Sequence, residues 1–126
     1  MWMKLARSRL AAVSLGWIFA HVSFLLPLKR VYTSQRLLAF HHPQPSYPLH
    51  IIIVPKKALR NLAAVQPSDA SLLLEILKTT QHIAENMKLE NWRLIVNAGA
   101  YQEVPHLHFH MIQKSGDQES IPRRIT

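Results

Sequence analysis

Hydrophobic and polar positions divide the chain into three stretches. Residues 10–28 are almost entirely apolar and carry no formal charge. Between residues 31 and 113, short apolar runs alternate with polar turns, and one longer segment repeats its apolar positions at helical spacing. The last residues are mostly polar. We therefore predict a basic and hydrophobic segment at residues 1–30, one domain at residues 31–113 and a polar tail at residues 114–126.

The middle stretch predicts an α+β domain. Val31-Tyr32 and Leu37–Phe40 flank a polar tetrapeptide, a pattern typical of a β-hairpin. His50–Val54 continues with β-branched apolar residues, which indicates a buried strand. Prolines at positions 43, 45 and 48 exclude a helix or a central strand just before it, so we expect an ordered loop there.

A long helix should follow, opened by Pro67 and capped by Ser68, with Asp69 near the positive end of its dipole. Trp92–Val96 and His106–Ile112 are predicted as the last two strands, joined by a glycine-containing loop. The helix presents one apolar stripe, which we expect to face the sheet. The stripe consists of Leu72, Leu73, Ile76, Leu77, Thr80, Ile83, Ala84 and Met87.

The apolar N-terminal segment is long enough to cross a membrane as a helix. Its nineteen residues would span about 28 Å, close to the roughly 30 Å of a bilayer core. We favour an uncleaved membrane anchor over a cleaved signal peptide, because no clear cleavage site follows, and over a helix packed on protein. Basic residues at both ends give no clear orientation; we expect a membrane-anchored protein with its domain on the cytoplasmic side.

The net charge of +8 does not indicate a polynucleotide-binding protein. Six of the 15 basic residues lie in the first 36 positions, where there is no acidic residue, and the remaining nine face seven acidic residues. The excess of basic over acidic residues therefore lies mainly on either side of the apolar segment and not on the domain. Cysteine is absent, which excludes disulfides, thiolate metal sites and a thiol nucleophile.

The most informative run begins after Pro105. In a strand, residues two apart share a face, so His106, His108 and His110 would line one side. The residues between them, Leu107 and Phe109, would enter the core with Met111. A single histidine is usually structural, but three on one face favour a functional site. They could contribute to a metal site completed by other ligands, or support nucleophilic catalysis at phosphorus.

The run resembles the His-φ-His-φ-His-φ-φ pattern (φ, apolar) of the histidine triad, or HIT, family. Further segments match in order along the chain, from the first hairpin to the triad, so several elements agree. They are Leu38–His41, Pro48–His50, Val54–Lys57, Leu94–Asn97 with Gly99, and Gln102 with Val104.

This resemblance implies an antiparallel five-stranded meander sheet with one long helix, usually in a homodimer, and a site for a small nucleotide. His108 would attack the α-phosphorus of a nucleoside phosphoramidate, acyl-nucleotide or dinucleoside polyphosphate and form a nucleotidyl-histidine. His110 would bind the phosphoryl oxygens and leaving group, His106 would orient the site, and His50 would lie at its rim. The resemblance implies no cofactor and no metal.

Asn97, Gln102 and Val104 match substrate-binding positions of the family. Three residues depart from the family pattern: His42 replaces the usual ribose-binding aspartate, Tyr101 replaces a glycine, and Glu103 replaces a serine or threonine. His42 and Glu103 would still border the substrate. We therefore keep two alternatives: a nucleotide-binding regulatory module with little or no catalysis, and a His-rich metal-binding protein.

Overall fold

The computed structural model describes residues 29–114, which form a five-stranded antiparallel sheet and one long helix. This confirms the predicted α+β fold. Short 3-10 turns occupy residues 62–64, 67–69 and 99–101. The elements are β1 (Arg30–Thr33), β2 (Leu37–His41), β3 (Leu49–Pro55), α1 (Ala70–Asn86), β4 (Arg93–Val96) and β5 (Phe109–Gln113).

The strand order is β1-β2-β3-β5-β4, so the predicted meander is correct only for the first three strands. After β3 the chain passes through α1 and reaches the far edge of the sheet as β4. β5 then returns between β3 and β4, antiparallel to both. The sequence indicates which segments are strands, whereas their pairing depends on contacts between distant parts of the chain.

The main core lies between α1 and one face of the sheet. Leu72, Ile76 and Ile83 are buried there, as the helical spacing predicted. Leu77 is 48% exposed, however, so its place in the predicted stripe is wrong. The sheet face of this core consists of Leu37, Ala39, Ile51, Ile53, Phe109 and Met111. The opposite face has its own apolar cluster, formed by Leu38, Phe40, Ile52 and Val54.

The start of α1 differs from the prediction. Ser68 lies in the 3-10 turn that precedes the helix and forms no capping hydrogen bond. Asp69 caps the turn instead, because its carboxylate accepts a hydrogen bond from the Gln66 N–H (2.9 Å). The same carboxylate forms an ion pair with Lys57. At the other end the chain leaves the helix at Lys88, whose φ of 55° is in the left-handed region.

The last strand begins later than predicted, at Phe109 rather than His106. Phe109 pairs with Ile53 of β3. Continuing this register by two residues would place Leu107 opposite Pro55, which has no N–H to donate. The Leu107 N–H instead donates to the Leu59 carbonyl (2.7 Å), outside the sheet. Leu107, Phe109 and Met111 are all buried, so the predicted alternation persists although the strand pairing does not.

The membrane anchor was predicted at residues 1–30, of which residues 1–28 lie outside the described residues. Residues 115–126 of the predicted tail lie outside them as well. Within residues 29–114, no helix has the length and apolar character needed to cross a bilayer.

Candidate active site

Four histidine rings gather where β3, β5 and the loop after β2 meet. His50 of β3 and His110 of β5 lie on the sheet face opposite α1, with ring centroids 5.1 Å apart. His108, just before β5, stands edge-on to His110 at 5.0 Å. His42 stacks on His50 at 4.4 Å. The structure therefore brings together His42, His50, His108 and His110.

Hydrogen bonds determine which nitrogen carries the proton in two of these rings. The backbone N–H of Ser46 donates to His50 Nδ1 (3.1 Å), so the neutral ring of His50 carries its proton on Nε2. That Nε2–H donates to His110 Nδ1 (2.8 Å). His110 must then carry its own proton on Nε2. The result is an N–H donor on the outer nitrogen of His110.

His108 is arranged in the opposite sense. Its Nδ1 lies 2.7 Å from the carbonyl oxygen of His106, which can only accept, so Nδ1 carries the proton. The Nε2 of the neutral ring then has a free lone pair. The site thus places an unprotonated nitrogen of His108 beside the N–H donor of His110, and His108 is only half-buried. This pair suits a nucleophile with an adjacent hydrogen-bond donor.

His106 does not line the open face with the other two members of the triad, contrary to the prediction. It is 2% exposed, and its Nε2–H donates to the carbonyl of Pro55 (2.9 Å). Burial lowers the pKa of His106, the Pro55 bond opposes this, and repulsion from His108 adds to the lowering. The buried side chain of His106 thus fixes its own backbone, and the carbonyl of that backbone orients His108.

Burial also lowers the pKa values of three of these rings and so disfavours their protonated, charged form. It lowers the pKa of His110 to about 4, with further lowering by His108, His50 and His42. Burial lowers the pKa of His50, with a smaller effect from His42. Burial and the nearby His108 lower the pKa of His42. The rings of His42, His50 and His110 are therefore neutral at pH 7, as the hydrogen-bond pattern requires.

The loop of residues 97–105 borders the triad from the β4 side. The Gln102 amide Nε2 donates to the carbonyls of Arg60 (2.9 Å) and Val104 (3.0 Å), which ties this loop to the chain after β3. Asn97 is half-buried and Glu103 is exposed, and neither side chain forms a hydrogen bond within the described part of the chain. Tyr101 is 82% exposed. The loop turns at Gly99, whose φ of 61° favours glycine.

For the metal-binding alternative, the described residues hold no group of three or more His, Asp or Glu side chains that could bind a metal ion. The geometry explains this: the facing nitrogens of His50 and His110 are hydrogen-bonded to each other, and His108 Nδ1 is bonded to a carbonyl.

A free imidazole nitrogen beside a fixed N–H donor is an arrangement that can support nucleophilic catalysis. Residues 25–117 match the model of the HIT domain family. The chain belongs to the HIT family. It is 36% identical over 90 residues to an uncharacterized HIT-like protein of Synechocystis, covering 69% of this chain and 79% of the relative. An uncharacterized HIT-like protein of Buchnera aphidicola is 30% identical over 92 residues, covering 70% and 82%.

Solved structures show the same fold. A histidine triad protein from Clostridium difficile superimposes with a TM-score of 0.72 at 28% identity, covering 89% of this chain and 95% of that one. A HIT family hydrolase from Legionella pneumophila gives 0.71 at 29% identity, covering 76% and 89%. One from Clostridium thermocellum gives 0.72 at 28% identity, covering 89% and 96%. The structure neighbours thus include proteins named as hydrolases.

Sequence reasoning missed the groups that orient the histidines. These are the backbone N–H of Ser46 and the carbonyls of Pro55 and His106, which no side-chain pattern reveals. It also gave no role at the site to Tyr47, whose ring lies edge-on to His50, 5.4 Å between centroids. The three closely spaced prolines were the one available signal, because they indicate a loop of restricted conformation.

Proposed function

We propose that this protein is a HIT-family hydrolase or nucleotidyl transferase that cleaves a nucleoside phosphoramidate, acyl-nucleotide or dinucleoside polyphosphate. The observation that carries the proposal is the Nδ1–H of His108 on the His106 carbonyl, which leaves the Nε2 lone pair of the half-buried neutral ring available for attack. The neighbours named as hydrolases, at 28–29% identity, support the same kind of reaction. The nucleotide itself is inferred from the family resemblance.

In the first step, His108 Nε2 bonds to the α-phosphorus as the bond from phosphorus to the leaving group breaks. The leaving group departs with that electron pair and takes a proton from water. The His110 Nε2–H hydrogen-bonds the phosphoryl oxygens and the departing atom and so stabilises the negative charge that develops on them, which matters most for a poor leaving group. In the second step, water adds to phosphorus, its proton passes to solvent, and the electron pair of the phosphorus–nitrogen bond returns to His108. The products are a nucleoside monophosphate and the free leaving group.

The remaining site residues receive supporting roles in this proposal. His106 positions His108, and His50 positions His110. Gln102, with Val104, shapes the loop on the phosphate side through its bonds to backbone carbonyls, and Asn97 and Glu103 border the bound substrate.

The proposal is tested by intact-protein mass spectrometry on the full chain in mild detergent, quenched soon after mixing with an adenosine or a guanosine phosphoramidate. We expect a nucleoside-monophosphate adduct in the wild type and in His82→Ala, a matched control at an exposed histidine of α1. His108→Ala should form none. An adduct that persists in His108→Ala refutes the covalent mechanism, and tight nucleotide binding without any adduct or turnover favours the binding-module alternative.

Dimerisation and membrane attachment are separate proposals that rest on the family resemblance and on the apolar segment. Analytical ultracentrifugation of the full chain in detergent tests the homodimer. Membrane fractionation with protease protection, compared with a chain lacking residues 1–28, tests both the anchor and the cytoplasmic location of the domain.

A further inference from the structure

We propose that His42 is a positioning residue: together with Tyr47 it holds the ring of His50, and through His50 it keeps His110 in the tautomer that presents an outward N–H. This role differs from the ribose contact that the family resemblance suggested for His42. Its kinetic consequences rest on the proposed function, whereas its structural consequences do not.

His50 is gripped by two aromatic side chains of the same loop. The ring of His42 lies 4.4 Å from that of His50 with only 30° between their planes, which is a tilted stack. The ring of Tyr47 meets His50 at 72°, an edge-on contact. Such ring pairs prefer these geometries, and each contributes beyond the apolar area it buries. The His50 ring is therefore restrained by its neighbours as well as by its hydrogen bonds.

The loop that carries His42 is itself well held. The backbone N–H of His42 donates to the His50 carbonyl (2.8 Å), and the N–H of Gln44 donates to His42 Nδ1 (2.9 Å). Prolines at positions 43, 45 and 48 restrict the backbone between these bonds. The same loop supplies the Ser46 N–H that binds His50 Nδ1. One short segment thus provides both the stacked ring and the donor that sets the tautomer of His50.

The Gln44 bond also limits what His42 can offer a ligand. Because Nδ1 accepts from the backbone, the neutral ring carries its proton on Nε2, so its remaining nitrogen is a donor. Such an N–H can donate one hydrogen bond to a sugar hydroxyl oxygen, but it cannot accept hydrogen bonds from two hydroxyls as a carboxylate does. The chemistry of His42 therefore fits a role toward His50 better than a grip on ribose.

Loss of the stack has a definite consequence at His110. A His50 ring free to turn would no longer keep its Nε2–H on His110 Nδ1 (2.8 Å). His110 could then place its proton on Nδ1, which would leave a lone pair on Nε2 facing the reacting group. A lone pair repels the negative charge that develops there, whereas an N–H stabilises it.

The first test reads tautomers directly and requires no substrate. Two-bond ¹H–¹⁵N correlation spectra of the full chain in detergent, labelled with ¹⁵N-histidine, distinguish Nε2–H from Nδ1–H rings at pH 7.5. We expect His50 and His110 to be Nε2–H in the wild type and in His42→Phe, which keeps a flat stacking ring. In folded His42→Ala, His110 should show Nδ1–H as well. A His110 that stays wholly Nε2–H in His42→Ala overturns the proposal, as does a His42→Phe spectrum that matches His42→Ala.

The second test uses two substrates that share a nucleoside monophosphate but differ in leaving group. An alkylamine departs poorly and needs the His110 N–H, whereas 4-nitrophenolate departs readily. For His42→Ala we expect kcat to fall about tenfold or more with the amine and less than about threefold with nitrophenolate, with little change in KM. His42→Phe should restore the amine rate.

Equal losses with both substrates would mean that His42 has only a general structural role, which refutes the kinetic part of the proposal. A wild-type protein that turns over neither substrate would instead refute the proposed function, and the tautomer measurement would still decide the role of His42.

Discussion

Mild acid should destabilise the fold through its buried histidines, and His110 makes the largest defined contribution. Burial first, and then repulsion from His108, His50 and His42, lowers the pKa of His110 from 6.5 to about 4. The unfolded chain therefore takes up a proton at this ring before the folded chain does. The stabilising contribution is complete above pH 6.5 and is lost as the pH falls towards 4.

The structure defines the size of this effect. A pKa lowered from 6.5 to about 4 corresponds to about 3.4 kcal/mol, at about 1.36 kcal/mol per pKa unit. The ring is only partly buried, and solvent screening reduces the contribution to about 2 kcal/mol. The pKa values of His42, His50 and His106 are lowered as well, so their contributions have the same sign.

The assay is urea unfolding of the full chain in detergent between pH 7.5 and 4.5. Asp69 and Glu75 also have lowered pKa values, but their stabilisation is lost only as the pH falls below their usual values of 3.8 and 4.5. This pH range therefore reports mainly on the histidines. We expect the free energy of unfolding of the wild type to fall by at least about 2 kcal/mol over this range. In His110→Asn the fall should be smaller than in the wild type by about 2 kcal/mol. A wild-type stability that is constant or rises towards pH 4.5 would refute the reasoning.

Two further predictions concern stability at neutral pH, both measured by urea unfolding. Ile76→Ala should lower the free energy of unfolding by about 3 kcal/mol, because Ile76 is 1% exposed in the core. Leu77→Ala, one residue along α1, should lower it by less than about 0.5 kcal/mol. Equal losses would contradict the assigned helix face. His106→Ala should cost about 3 kcal/mol, because it leaves a cavity and removes the donor to the Pro55 carbonyl, and an unchanged unfolding midpoint would show that this buried bond is unimportant.

Local patterns predicted most of the secondary structure. The β-branched run after His50 is a strand buried on both faces, and the alternation after Pro105 correctly sends Leu107, Phe109 and Met111 into the core. These predictions succeed because strand and helix periodicity are set by neighbouring residues and by which side chains avoid water. The pairing of β5 between β3 and β4 is a property of the whole sheet and was predicted incorrectly.

The candidate site divides in the same way. The sequence shows the alternation of His106, His108 and His110, which left a metal site and nucleophilic catalysis at phosphorus both open. The resemblance to the HIT family favoured the second and implied His50 as a further member of the site. It could not show that His106 turns inward to Pro55, 51 residues away, or that His50 meets His110, 60 residues away.

Tertiary structure alone decided which nitrogen of each ring carries a proton. A neutral imidazole has two tautomers of similar energy, so its nearest hydrogen-bond partner selects between them. For His50, His108 and His106 those partners are backbone groups, namely the Ser46 N–H, the His106 carbonyl and the Pro55 carbonyl. His110 takes its tautomer from the side chain of His50, which the Ser46 N–H has itself fixed. Every residue has the same backbone groups, so only the folded path of the chain determines where they point.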